Sequence, residues 1–118
     1  KIIQKNNEVI KMTIKYEEYA LLEFFCGFPE VLDEIAEVYQ YFYRDKVGHI
    51  FSLYISTFDD IAVLKLKHKK LKDPLFSLCL EDVYEIEVDK EKLTVIDAGK
   101  PFVQVRLRPS ITFKFLNL

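Results

Sequence analysis

A chain of 118 residues that is 50% hydrophobic and 31% charged forms one domain and can bury one real core. Its 14% aromatic share and low Gly and Pro counts exclude a disordered chain, and a formal charge of −2 argues against direct nucleic-acid binding, which favours a basic domain. No apolar run reaches the roughly 18 residues of a membrane span and no signal peptide is visible, so a single cytoplasmic domain over 1–118 is expected.

The sole methionine is Met12, which places the natural start either upstream of Lys1 or at Met12, with residues 1–8 disordered or an extension. Val9 to Tyr16 alternates, with Ile10, Met12, Ile14 and Tyr16 on one side and Lys11, Thr13 and Lys15 on the other, which predicts a first strand. In Glu17–Cys26 the spacing of Tyr19, Leu22 and Cys26 suits a helix, and Gly27 suits the position just past its end. The apolar density also suits a buried strand. Glu17, Glu18, Ala20, Leu21 and Leu22 favour the helix.

Phe28-Pro29-Glu30 predicts a second helix. Pro suits a first helical position, Glu30, Asp33 and Glu34 suit the positive end of the helix dipole, and Val31, Ile35 and Tyr39 form a stripe. This helix ends between Tyr39 and Tyr43, and Arg44–Gly48 is a turn.

His49–His68 predicts a hairpin with a defined register. Phe51, Leu53 and Ile55 share a face with Ala62, Leu64 and Leu66 only if paired residue numbers sum to an odd value. The loop then holds an even number of residues, such as Phe58-Asp59 or Asp59-Asp60. The Phe58-Asp59 register sets His49 opposite His68.

His68–Pro74 is a basic connector, and Leu75–Leu80 predicts a central strand. Tyr84, Ile86 and Val88 alternate with Glu85 and Glu87, and pairing Val88 with Leu93 and Ile86 with Val95 keeps the apolar residues together. After a turn at Asp97–Pro101 come Val103, Val105 and Leu107, then a break at Arg108-Pro109-Ser110, then Ile111, Phe113 and Phe115. The expected fold is α+β: an antiparallel hairpin meander with one or two N-terminal helices packed on one face.

Chemistry is scarce. The chain has no glycine-rich phosphate loop, CxxC, HExxH, EF-hand or Gly-x-Ser-x-Gly pattern, and no catalytic residue, cofactor or metal is expected. His49 and His68 could begin a metal site, but about four ligands are needed for a structural site and their neighbours are Lys67, Lys69 and Lys70. Cys26 and Cys79 lie among Phe and Leu, which predicts buried thiols in a reducing compartment. Asp59-Asp60 and Glu81-Asp82 read first as solvated turn residues. Lys65, Lys67, Lys69, Lys70 and Lys72 read as a solvated face that discourages edge-to-edge pairing.

The FPEVLDEI segment from Phe28, the alternating hairpins and the closing VQVRLRPSITFKF stretch together resemble small bacterial immunity proteins of contact-dependent inhibition and other polymorphic toxin systems. The likeness covers most of the chain after Met12 and carries over no functional residue. It implies a stoichiometric, non-enzymatic inhibitor of a toxin domain, often a nuclease, with an acidic surface covering a basic cleft. Asp33, Glu34, Glu37, Asp59 and Asp60 are the candidates for that surface. The alternatives are a secretion chaperone or small assembly subunit acting as a homodimer, and a small enzyme with a carboxylate or thiol site.

Overall fold

The computed structural model describes residues 13–117 and, before them, the backbone of two paired strands, β1 (Ile2–Lys5) and β2 (Glu8–Lys11). The expected facing of Ile10 and Met12 lies outside the described side chains. One helix follows, α1 (Glu18–Phe25), and then nine strands in two antiparallel sheets. The larger sheet runs β3 (Glu30–Asp33), β4 (Val38–Arg44), β5 (His49–Ser56), β6 (Ile61–His68), β7 (Phe76–Leu80). The smaller runs β8 (Val83–Asp89), β9 (Lys92–Asp97), β10 (Lys100–Arg106), β11 (Thr112–Phe115). Every neighbour is also a neighbour in sequence, so the α+β hairpin meander expected from the sequence is the fold found.

α1 ends on a left-handed residue that is not a glycine. Cys26 has φ 56°, its N–H bonds to the Glu23 carbonyl, and the Gly27 N–H reaches back to Leu22. This pair of bonds is a Schellman cap, with Gly27 one place beyond the left-handed position. The helix buries Leu21, Phe24 and Phe25.

The expected second helix is instead the β3–β4 hairpin. The density of β-branched and aromatic residues in VYQYFY outweighs the acidic start. The Asp33 carboxylate accepts the Ala36 N–H at 3.0 Å, and Glu37 sits at φ 52°, so residues 33–37 close a turn where a helix would have continued. Pro29 stands just before an edge strand, where a missing N–H disturbs no ladder.

β5 and β6 pair with the predicted odd sum, in the first of the two registers that parity left open. Phe51 pairs with Leu66, Leu53 with Leu64, Ile55 with Ala62, and His49 with His68. The four residues Thr57–Asp60 form the loop, an even number as parity requires. Val88 faces Leu93 and Ile86 faces Val95, also as predicted. The Leu75–Leu80 run differs: β7 is an edge strand, with Phe76, Leu78 and Leu80 turned inward and Ser77 and Cys79 exposed. Both thiols are exposed, correcting the expectation of buried cysteines, because each occupies an outward position within an apolar run.

The inner faces of the two sheets and the buried face of α1 meet in one core. Phe51 lies fully buried where they join, its ring 6.0 Å from Phe25 on α1 and 5.7 Å from Phe113 on β11. Residues 14–16 tie the sheets together. The Lys15 N–H and carbonyl bond to Tyr84 and Ile86, the Ile14 N–H bonds to Thr57, and the Tyr16 hydroxyl lies 3.2 Å from that of Thr57. The Arg108 guanidinium donates to the Phe24 carbonyl at 3.0 Å and lies over the Tyr43 ring, pinning the helix end to the last strands.

A candidate partner-binding face

Antiparallel order puts the β3–β4 and β5–β6 turns at one end of the larger sheet. Val38 pairs with Ser56, and the Thr57 N–H donates to the Glu37 carbonyl at 3.1 Å. The acidic residues singled out from the sequence therefore gather, through two adjacent turns rather than through a helix. Asp33, Glu34 and Asp59 are exposed and Glu37 is half-buried. The Asp59 carboxylate accepts the Ser56 hydroxyl at 2.7 Å. Asp60 is buried, at left-handed φ 60°, and its carbonyl accepts the Val83 N–H at 2.9 Å, so its position serves the link to the smaller sheet.

The opposite end of the same strands is basic. Lys67, Lys69, Lys70 and Lys72 are exposed there beside Arg44 at the end of β4 and Lys46 of the β4–β5 turn. The imidazoles of His49 and His68 meet edge to face, centroids 4.9 Å apart. Each already has a neighbour. His49 Nδ1 lies 2.8 Å from an Asp45 oxygen, and His68 Nε2 lies 2.8 Å from the Val47 carbonyl. Among the described residues no group of three or more His, Cys, Asp and Glu is placed to hold a metal ion.

Beside the acidic end the structure adds a feature that the sequence hid. Between α1 and the β3–β4 hairpin lies an open groove of about 370 Å³. Tyr39 and Tyr41 on β4 and Val31, the partner of Tyr39 on β3, form one wall. Tyr16, Glu18, Leu22, Phe28 and Pro29 complete it, and no residue of the smaller sheet reaches it. Here, among the described residues, the inner face of the larger sheet is covered by α1 and the residues flanking it, and incompletely. Phe28 remains 85% exposed, and Ile35 at the tip of the neighbouring turn 93%. Such apolar exposure beside polar residues marks interaction surfaces. Reading residues 30–39 as a helix hid the groove, because it separated Val31 from Tyr39. The alternation in VYQYFY was the signal available.

The phenols of the groove lie in a negative field. Burial pushes Tyr41 up to about 12, with smaller contributions from Tyr16, Glu18 and Tyr39. Tyr16 is raised by burial against its hydrogen bond to Thr57, and Tyr39 by burial and then by Glu37, Glu18 and Glu34. At the basic end, burial of Asp45 opposes its ionisation. Hydrogen bonds from the His49 N–H, the His49 ring and the Val47 N–H outweigh that and hold the carboxyl below its ordinary range.

No protein-family model matches the chain, and no curated protein matches it. Among solved structures, it superposes on one chain of a contact-dependent growth inhibition toxin–immunity protein complex from Klebsiella pneumoniae 342. The match has a TM-score of 0.72 at 18% identity and covers 89% of this chain and 96% of that one. The resemblance to the contact-dependent inhibition systems drawn from the FPEVLDEI segment and the hairpins thus has a counterpart in three dimensions. No helix among the described residues is long and apolar enough to cross a membrane.

Proposed function

We propose that this protein is an immunity-type inhibitor, a non-enzymatic cytoplasmic module that occupies one toxin domain in a stoichiometric complex. The observation that carries this reading is the fold shared, nearly end to end, with a chain of a toxin–immunity protein complex. Charge supports the inhibitor's side of such a pair. The chain is net acidic, and Asp33, Glu34, Glu37 and Asp59 come together at one end of the larger sheet. A nuclease toxin gathers cations to hold phosphates, and an acidic end with aromatic residues beside it is complementary to that surface.

The test is co-expression with the toxin domain encoded beside this gene, capture through a tag on the toxin, and growth of cells carrying both. A one-to-one complex and protected cells are expected. A protein that neither co-purifies nor protects overturns the reading, and a stable homodimer indifferent to the toxin replaces it with an assembly role. Within a complex, D33N/E34Q/E37Q/D59N slows association and flattens its salt dependence, because surface charges act on the encounter.

A further inference from the structure

We propose that the groove between α1 and the β3–β4 hairpin receives one arginine side chain carried on a projecting loop of the protein partner. The inference rests on the protein-binding reading above and goes beyond it by naming the receptor and the group received. At about 370 Å³ the groove lies near the small end of ligand pockets, which suits one long side chain with its adjoining backbone.

Its lining chooses the chemistry. Tyr16, Tyr39 and Tyr41 contribute aromatic rings, whose faces are negative and attract cations. Glu18 stands in the wall, and among the described residues no Lys or Arg lines the groove to neutralise it. Glu37 and Glu34 add to the same negative field at Tyr39. An aliphatic occupant would strip water from the Glu18 carboxylate and give it no partner. A guanidinium stacks on a ring while its N–H groups face a carboxylate. It also sheds water more readily than an ammonium, which selects arginine over lysine. The arginine methylenes then lie along Val31 and Phe28, the apolar residues of the rim.

The test uses the isolated protein, with N-acetyl-arginine amide as the probe and its citrulline and leucine counterparts as neutral controls, followed by NMR. Saturable shifts confined to Tyr16, Val31, Tyr39 and Tyr41 are expected with arginine. Citrulline should bind at least tenfold more weakly, and Glu18→Gln should weaken arginine several-fold without moving the rest of the spectrum. Absence of localised shifts with arginine, or equal binding of leucine, overturns the proposal. The same Glu18→Gln variant in the toxin pull-down separates the two readings. A silent arginine probe with an intact toxin complex removes this inference alone, whereas failure of the parent protein to bind toxin removes the proposed function and leaves the groove to be judged by the probe.

Discussion

Replacing Tyr41 by Phe removes one hydroxyl from the groove and keeps the ring, which stacks on Phe25 at 5.1 Å. The consequence for stability has a definite sign. Burial holds the Tyr41 phenol at about 12 against an ordinary 10.0. Below pH 10 the folded and unfolded chains both keep the proton. Between 10 and 12 the unfolded chain releases it first, so the unfolded state is favoured progressively as pH rises through that window. Each unit of pH removes up to about 1.4 kcal/mol, hence at most roughly 2–3 kcal/mol by pH 12. Tyr16 and Tyr39 push the same way, so the informative quantity is the difference between parent and Tyr41→Phe. Urea unfolding followed by circular dichroism across the window measures it, and the parent should lose more than the variant. The chain has seven Tyr and no Trp, so near-ultraviolet absorbance counts phenolates directly. The folded parent should retain a late-titrating phenol that Tyr41→Phe lacks. Parallel stability losses in the two proteins, or ionisation of all seven tyrosines together near their ordinary value, would refute the reasoning.

Phe51→Ala should cost about 3–5 kcal/mol in urea unfolding, since it empties the junction of helix and sheets, while Phe115→Ala at the 37%-exposed rim should cost far less. Equal costs would mean that the core is misplaced. Gly48→Ala should lose more than about 1 kcal/mol, because φ is +99° and the new Cβ would sit 2.9 Å from the Lys69 side chain; a neutral result in thermal melts would reject that turn geometry. Asp45→Asn should abolish an acid-sensitive contribution. The depressed carboxyl supplies stability above its unfolded pKa of 3.8, lost as pH falls through the lower folded value. Parent and variant should therefore converge in acid and separate toward neutral pH.

The hairpins were legible in the sequence because their signal is parity. Phe51 against Leu66 and Val88 against Leu93 are pairings that satisfy the parity set by apolar alternation. The β3–β4 hairpin was not, because Val31, Ile35 and Tyr39 satisfy helical spacing equally well. The deciding factors were an Asp33 side-chain bond to Ala36 and a left-handed Glu37, both set by local geometry rather than by periodicity. Asp33, Glu34 and Glu37 are close in sequence, while their placement at the same end as Asp59 depends on two turns meeting across β4 and β5. The groove required tertiary knowledge, since its walls come from three separated segments. Sequence likewise could not tell that Cys26 and Cys79 occupy outward positions, because an apolar run does not say which of its members faces solvent.

The acid-bearing and base-bearing ends of the larger sheet are held apart by the eight residues of β5, about 26 Å of extended chain. That is some three screening lengths at physiological ionic strength. The two poles therefore do not cancel, and the larger sheet carries opposite charge at its two ends despite a formal charge of only −2 for the chain. A cationic neighbour exerts little torque from afar. Within the last nanometre it attracts one tip and repels the other, so wrong-way collisions are rejected late, by local charge, before any shape has been compared.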